Sequence, residues 1–476
     1  MRLVRNFLFL SGGEVLSKLL TFVAIAFAAR IAGPTGFGYL EFAASVVLLA
    51  GLLVHQGFGL YGAREIAKDP SSTDRLVAEI VSIRYVLAGL GYIGLILFVY
   101  WVDRPSIVER LVLLYGLSLL VMPLGLQWVF QGHERMNVSA GLQITRQTVF
   151  AIVILSVFRD PLRLWPVAIA EVAGAAAVAA GSILLYRRHF GRHVPLPSRI
   201  SSKVVREGSM IGLSRVFWSL RISGAMVVFG LIATEQDLGF FGAALRILVG
   251  LYVFVWLYFI NLLPSLSRDW NGGTGAFRER IDRSMHVVGW LSLGAGMFWV
   301  LLAPLAIRLV YGNAFAPAVP ALQCLAAVCV IAAIHGHYRF ALLAAGRQRD
   351  EMITSALGTT LSLPLIPLGY ASWGLTGAAA ALVLAELVIW LTSWLFARRY
   401  LRLGSLARYL VVPVISTALL LAVSWQILTP RLPIGVTIAI VAVGLAIAAL
   451  ATDREARRAL GILLDKTRLR TPGDHE

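Results

Sequence analysis

The sequence predicts an all-α polytopic membrane protein with about fourteen transmembrane helices, and three observations support this. Hydrophobic residues make up 58% of the 476 positions and charged residues only 14%, against about 25% charged in an ordinary soluble protein. Apolar runs of about 20 residues, the length that crosses a bilayer core, recur along the whole chain. The 42 Lys and Arg residues exceed the 25 Asp and Glu residues, and the excess lies between alternate apolar runs. A disordered chain and a soluble enzyme are both disfavoured.

The predicted helices are bounded by glycine, proline and charged residues. In chain order they cover residues 7–31, 38–61, 81–101, 111–132, 139–158, 165–186, 208–233, 239–264, 284–310, 317–345, 352–371, 374–397, 408–428 and 434–452. The two longest internal connections are only 187–207 and 265–283, so no predicted loop holds a catalytic domain outside the membrane.

The first apolar run has some features of a signal peptide. Arg2 and Arg5 precede it, and Ala26-Phe27-Ala28 has the pattern of a cleavage site. However, Glu14 and Lys18 interrupt the run. We therefore expect a retained first helix.

The orientation follows from the positive-inside rule, which counts Lys and Arg in short loops. With the N-terminus inside, about two thirds of the basic residues fall in inner segments, and the outer loops hold few, among them Arg104, Arg159, Arg163 and Arg431. An even number of helices with both termini in the cytoplasm satisfies this asymmetry. The net charge of +17 thus orients helices and touches anionic lipid, and no nucleic-acid partner is expected.

Several short motifs recur six helices apart, which predicts an internal repeat. The turn Gln131-Gly132-His133-Glu134-Arg135 follows helix 4, and Ala345-Gly346-Arg347-Gln348-Arg349 follows helix 10. Gly38-Tyr39 and Gly239-Phe240 are expected to open helices 2 and 8. The repeat predicts two pseudo-symmetric six-helix lobes, residues 1–203 and 204–400, and a C-terminal helix pair with a basic cytoplasmic tail, residues 401–476.

Segments distributed along the chain resemble the Wzx-type polysaccharide or O-antigen flippases of the multidrug/oligosaccharidyl-lipid/polysaccharide (MOP) exporter superfamily. The matching segments are Gly33-Pro34-Thr35-Gly36-Phe37-Gly38-Tyr39, Trp128-Val129-Phe130-Gln131-Gly132-His133-Glu134-Arg135-Met136, Leu263-Pro264-Ser265-Leu266-Ser267-Arg268, Tyr311-Gly312-Asn313-Ala314-Phe315, Leu343-Ala344-Ala345-Gly346-Arg347 and Trp373-Gly374-Leu375-Thr376-Gly377-Ala378-Ala379. The resemblance implies a flippase that moves a polyprenyl-pyrophosphate-linked oligosaccharide from the inner to the outer leaflet of a prokaryotic cytoplasmic membrane. Its setting would be polysaccharide or lipopolysaccharide biosynthesis, with other polysaccharide-assembly proteins as further candidate partners.

Charged residues inside the predicted helices are candidates for the transport site, because a charge at the bilayer centre costs about 2.5–3.5 kcal/mol and usually faces a cavity or a partner. A guanidinium group pairs bidentately with phosphate oxygens and stays charged. We therefore assign substrate binding to Arg215, Arg246, Arg221, Lys18 and Arg146. Ion coupling or charge balance is assigned to Glu14, Glu41, Glu171 and Glu386.

The repeat suggests where these residues meet. The offset that aligns Gly38 with Gly239 places Glu14 opposite Arg215, so helices 1, 2, 7 and 8 are expected to line a central cavity. A purely structural role, with internal ion pairs that set packing, is the alternative. For His335 and Arg339, one turn apart on helix 10, structural hydrogen bonds are the expected role, and His55 is interpreted as an interfacial residue.

No cofactor or metal is expected. The sequence contains no GxxxxGK[ST] phosphate-binding loop, so this chain is not expected to hydrolyse ATP, and Cys324 and Cys329 are too few for a zinc site. The energy would come from an ion gradient, the membrane potential or consumption of the product, by alternating access. Two alternatives stay open: a multidrug or other lipid exporter of the same superfamily, and a membrane glycosyltransferase or ligase, for which the outer loops offer few acids or bases.

Overall fold

The computed structural model describes residues 2–55, 57–102, 104–191, 195, 200–405, 409–424 and 433–452, and these residues are almost entirely helical, without a strand. The α-helices are α1 (Arg2–His55), α2 (Phe58–Lys68), α3 (Thr73–Trp101), α4 (Ser106–Val121), α5 (Gln127–Gly132), α6 (Met136–Val157), α7 (Trp165–Phe190), α8 (Ser202–Ser219), α9 (Ala225–Ile232), α10 (Glu235–Gly272), α11 (Thr274–Tyr311), α12 (Val319–Ala344), α13 (Gln348–Phe396), α14 (Val411–Val423) and α15 (Ile434–Thr452). The predicted all-α class is confirmed.

Ten stretches of the described residues are long and apolar enough to cross a membrane. Two of them, Leu16–Lys68 and Gln348–Leu401, have 53 and 54 residues. A helix of that length would measure about 80 Å, against about 30 Å for a bilayer core, so each is too long for one straight crossing. Leu220–Ile232 and Val411–Val423 are shorter apolar helices. The count of fourteen crossings stays a prediction.

Both long stretches contain a break in the helix at a glycine with a positive φ. Gly33 (φ 66°, ψ 177°) divides α1, and Pro34 follows it. Gly374 (φ 57°, ψ −143°) divides α13 directly after Trp373. Glycine adopts this backbone region without the steric cost of a Cβ, and proline is tolerated in the first turn of the following helix. The break at Gly33 falls in the gap expected between helices 1 and 2, and the break at Trp373 and Gly374 lies at the expected boundary between helices 11 and 12.

The expectation that Gly38 and Gly239 open their helices is wrong by about one turn. The second half of α1 starts after Gly33, and α10 starts at Glu235, so both glycines lie inside a helix. A Cβ at Gly38 would lie 2.9 Å from the backbone nitrogen of Gly239, and a Cβ at Gly239 would collide with the carbonyl oxygen of Pro34. The two glycines therefore allow a direct backbone approach between α1 and α10.

The chain forms two compact units. Unit 1 comprises Met1–Ala243 with Val310–Phe315, and unit 2 comprises Ala244–Leu309 with Ala316–Glu476. The segment Val310–Phe315 belongs to unit 1 because the Phe37 ring contacts the rings of Tyr311 and Phe315, with centroids 5.8 Å apart in each pair. The division into lobes at residues 203 and 204 stays a prediction.

The two repeated turns share one backbone conformation, each within its own unit. The chain reverses through a residue with positive φ, and the next backbone N–H donates to a carbonyl five residues earlier. In the first turn, Glu134 has a φ of 58°, and the Arg135 N–H donates to the Phe130 carbonyl oxygen at 2.8 Å. In the second turn, Gly346 has a φ of 75°, and the Arg347 N–H donates to the Leu342 carbonyl oxygen at 2.9 Å. This is a Schellman-type helix end. The two turns thus share a local structure, but the matching residues Glu134 and Gly346 are offset by two positions from the sequence echo, which aligns Gly132 with Gly346.

Replacing Gly239 by alanine tests the close approach of α1 and α10. The new methyl group has no room against Pro34, and overpacking of this kind costs about 1–3 kcal/mol. Gly250→Ala is the matched control, because a Cβ at Gly250 in the same helix meets nothing within 4 Å. Thermal unfolding of the detergent-purified protein should show a lower midpoint for Gly239→Ala only. Equal midpoints for the two variants would contradict the contact.

Candidate functional site

Two of the predicted site residues form an ion pair in unit 1. The Arg146 guanidinium on α6 donates to the Glu171 carboxylate on α7, and the side chains are 27% and 26% exposed. The helices approach closely here, because a Cβ at Gly174 would lie 2.9 Å from the carbonyl oxygen of Arg146. Each charge therefore compensates the other at a half-exposed position, as an intramembrane charge requires.

A polar stripe on α1 lies beside this pair. The Thr21 hydroxyl is 2.8 Å from the Gln147 side-chain oxygen on α6 and 2.8 Å from the Ser17 carbonyl oxygen on its own helix. Lys18 lies on the same part of α1 with an exposed side chain. Since Gln147 follows Arg146, the contact between α1 and α6 joins the stripe to the ion pair. We call Lys18, Thr21, Arg146, Gln147 and Glu171 the N-terminal polar cluster.

The other predicted binding residues lie outside the described side chains or on other helices. Glu14 and Arg215 lie outside the described side chains, as does His55. Arg221 is buried in a π-helical segment, Leu220–Gly224, between α8 and α9. A π-helical turn inside an α-helix frequently marks a functional site. Arg246 on α10 belongs to unit 2, so the central constellation stays a prediction.

Glu41 lies on the second half of α1, where that helix meets α10 within unit 1. A Cβ at Gly242 would lie 2.9 Å from the Glu41 Cγ. The Glu41 side-chain stem therefore packs against Gly242, three residues from Gly239, which contacts Gly38. Glu41 is thereby positioned by the same close approach that Gly38 and Gly239 allow.

The fourth predicted acid, Glu386, forms a buried pair in unit 2. Its Oε2 atom on α13 is 2.6 Å from the His335 Nε2 atom on α12, and each residue is 1% exposed. A carboxylate at such a position needs a charged or hydrogen-bonded partner. Sequence analysis expected only a structural hydrogen bond from His335, and the hydrogen bond is present. What the sequence did not predict is that its partner is a candidate ion-coupling acid.

Two further polar groups of α12 contact different helices. His337 Nε2 is 2.8 Å from the Ser284 hydroxyl on α11, which lies 2.6 Å from the Tyr258 hydroxyl on α10. The Arg339 guanidinium donates to the Glu351 carboxylate near the start of α13 and to the Ser355 hydroxyl at 3.1 Å. Helix α12 thus links α10, α11 and both halves of α13 through polar contacts.

Sequence analysis missed one buried charge in unit 1. Arg84 on α3 is 4% exposed and donates its Nε proton to the Val54 carbonyl oxygen at 3.2 Å, near the end of α1. The rule that selected the other intramembrane charges applies equally to Arg84, which lies inside the predicted helix 81–101. The bond supports a structural role in joining α3 to α1.

These features define a multi-pass membrane protein in which several charges of the predicted helices are paired between helices. Residues 3–270 match the family described as "Polysaccharide biosynthesis protein", and the chain belongs to this family. A search of curated proteins finds no match.

Solved structures with the same fold are MOP-superfamily transporters. "Lipid II flippase MurJ, inward closed conformation" has a TM-score of 0.72 at 14% identity, covering 94% of this chain and 99% of MurJ. An inward-facing MATE-family multidrug transporter has a TM-score of 0.64 at 14% identity, and the match covers 82% of this chain and 96% of that transporter. A MOP transporter from Pyrococcus furiosus has a TM-score of 0.53 at 13% identity, with 84% and 95% covered. The predicted family is confirmed, and its fold is the MOP fold.

A double-mutant cycle on His335 and Glu386 tests whether the two side chains act as one unit. Removing only one partner leaves a buried group without its hydrogen bond, and breaking a buried pair costs about 3–5 kcal/mol. We expect His335→Leu and Glu386→Leu each to lower the thermal midpoint strongly, and the double variant to recover part of the loss. Additive losses would show that the two residues do not stabilise each other.

Proposed function

We propose that this protein is a flippase that translocates a lipid-linked oligosaccharide, with a polyprenyl-pyrophosphate carrier, from the inner to the outer leaflet of the cytoplasmic membrane for polysaccharide biosynthesis. The observation that carries the proposal is membership of the polysaccharide biosynthesis family together with a fold shared over 94% of the chain with a lipid II flippase. In this proposal the chain crosses the membrane fourteen times, has both termini in the cytoplasm, and has two six-helix lobes that alternate access.

The proposed substrate site consists of Arg215, Arg246, Arg221, Lys18 and Arg146. The N-terminal polar cluster supports this assignment, because the Arg146 and Glu171 side chains are 27% and 26% exposed and the pair is therefore not sealed inside the protein. A pyrophosphate group carries more charge than one carboxylate, and it would compete with Glu171 for the Arg146 guanidinium. Glu171 would then balance the charge of Arg146 while the site is empty. Glu14 and Glu41 are assigned the same balancing role.

We further propose that the buried His335 and Glu386 pair couples transport to an ion, with a proton as the coupling ion. The pair combines a group that titrates near neutral pH with a carboxylate, at 2.6 Å in a site 1% exposed. Cys329 and Arg339 interact electrostatically with Glu386, and His337 interacts with His335. Arg339 also pairs with the Glu351 carboxylate. In this proposal, protonation of the His335 and Glu386 pair is the charge change that couples transport to the proton.

A drug exporter of the same superfamily is the second candidate, favoured by the fold shared with a MATE transporter at a TM-score of 0.64. The excess of arginines among the intramembrane charges favours an anionic headgroup over a cationic drug. Expression in a drug-sensitive host separates the two candidates. Raised resistance to cationic dyes without glycan export would favour the exporter.

The export assay uses cells depleted of this protein in a host without a second flippase. Lipid-linked glycan should accumulate on the inner leaflet, and wild-type protein should relieve the accumulation. Arg215→Ala and Arg246→Ala should each reduce export at least tenfold, because each removes a proposed phosphate contact. Arg163→Ala is the control, since Arg163 is exposed and paired with Asp160 in a predicted outer loop. Export that continues normally without the protein would exclude the function, and full relief by both variants would exclude the site.

The coupling proposal has its own variant in the same cells. Glu386→Gln keeps the size and a hydrogen-bonding group but removes the titratable carboxylate. It should make export insensitive to the external pH, whereas wild-type export should respond to it. A wild-type pH response in the variant would show that coupling does not depend on Glu386.

A further inference from the structure

We propose that a cavity at one end of unit 2 binds the headgroup of an anionic phospholipid. The cavity has a volume of about 530 Å³ and is lined by Arg347, Gln348, Arg349, Asp350, Phe396 and Tyr400. It lies where α12 ends, α13 begins and the end of α13 returns to the same level. This site is separate from the N-terminal polar cluster and from the His335 and Glu386 pair.

The cavity has more positive than negative charge. The Arg347 guanidinium stacks on the Tyr400 ring, 3.3 Å from its centroid, and the Arg399 guanidinium lies 5.4 Å from the centroid of the same ring. Arg347 also donates to the Asp350 carboxylate. Arg349 lines the cavity with an exposed side chain. Arg347 and Arg349 therefore line the cavity with one carboxylate, Asp350, and the exposed Arg399 lies beside its Tyr400 ring, which leaves a positive surplus for a phosphodiester.

Backbone N–H groups at the start of α13 add hydrogen-bond donors, and these also favour an anionic ligand. Arg347 is the N-cap residue of α13, and its side chain makes no capping hydrogen bond. The first N–H groups of a helix have no carbonyl partner within that helix. Gln348 and Arg349 carry the first of these groups in α13, and both line the cavity. A phosphate oxygen at this position would be bound by backbone N–H groups and favoured by the helix dipole.

The position of the cavity along the apolar helices favours a lipid as the ligand. Asn313–Ala344 and Gln348–Leu401 are both membrane-span candidates, and the cavity lies at the ends where they meet. Phe396 and Tyr400 stack on each other there, with centroids 6.2 Å apart, and aromatic residues at a helix end are typical of the membrane interface. The positive-inside rule assigns this end to the cytoplasmic side, where basic pockets between helices bind anionic headgroups.

The repeated turn in unit 1 also places an arginine over an aromatic ring. Arg135 occupies the position equivalent to Arg347, and its guanidinium lies 5.9 Å from the centroid of the Phe190 ring at the end of α7. The repeat has thus kept an arginine on an aromatic ring at both turns. Only at the second turn does the described structure place a second arginine, Arg399, over the same ring. The additional charge distinguishes the unit 2 site.

The experiment measures lipid binding to the purified full-length protein by native mass spectrometry. Dioleoylphosphatidylglycerol should bind about tenfold more tightly than dioleoylphosphatidylcholine, since juxtamembrane basic residues attract anionic lipid. Arg349→Gln combined with Arg399→Gln should reduce that preference to within twofold. Arg283→Gln is the matched control, because Arg283 is an exposed arginine paired with a nearby acid, Glu279, on the same predicted side. The control should keep the tenfold preference.

Three results would overturn the proposal. One is an unchanged phosphatidylglycerol preference in the double variant. Another is displacement of the bound lipid by millimolar inorganic phosphate, which would indicate a free-anion site. The third is displacement by polyprenyl phosphate at far lower concentration than by phosphatidylglycerol, which would make the cavity a substrate-loading site. If the double variant fails to fold, Tyr400→Leu and Tyr400→Phe replace it: only Leu removes the ring under Arg347, so only Leu should lose the preference.

Discussion

The structure depends on one constraint: a charge within the hydrocarbon core must have a partner or reach water. Three intramembrane basic groups meet this constraint by pairing with an acid on another helix: Arg146 with Glu171, His335 with Glu386, and Arg339 with Glu351. Each pair therefore joins two helices and selects their relative rotation. In the proposed function, the partly exposed pair in unit 1 exchanges Glu171 for a substrate phosphate, whereas the buried pair in unit 2 changes its protonation. Burial thus separates the proposed binding role from the proposed coupling role.

Close approach of helix backbones is the second feature on which the fold depends. Helices in lipid gain little from the hydrophobic effect when they associate, because lipid tails are as apolar as the helix surfaces. Small residues allow helices to pack by van der Waals contact instead. Gly38 and Gly239 allow close approach between α1 and α10, and Gly174 allows it between α7 and α6. Gly369 and Gly377 contact each other across the break in α13. These contacts position Glu41 and Arg146. The glycines and the charged pairs therefore act on the same helix contacts.

Most of the architecture was predictable because hydropathy reports directly on membrane helices. The break at Gly33 fell in an expected gap, the break at Trp373 and Gly374 lies at the expected boundary between helices 11 and 12, and the family followed from short motifs. The partners of the charges were not predictable, since Glu386 is 51 positions from His335 and helix packing alone brings them together. Arg84 was missed although the same rule covered it. The π-helical segment at Arg221 had no sequence signal, because its residues would equally form an α-helix.

The most direct test of the account is translocation by the purified protein in proteoliposomes. A fluorescent polyprenyl-pyrophosphate oligosaccharide is placed in the inner leaflet, and its arrival outside is followed by a membrane-impermeant quencher. The account predicts quenching at least ten times faster than in protein-free liposomes, with competition by unlabelled polyprenyl pyrophosphate. Quenching at the protein-free rate, in vesicles that nevertheless accumulate a cationic dye, would contradict it.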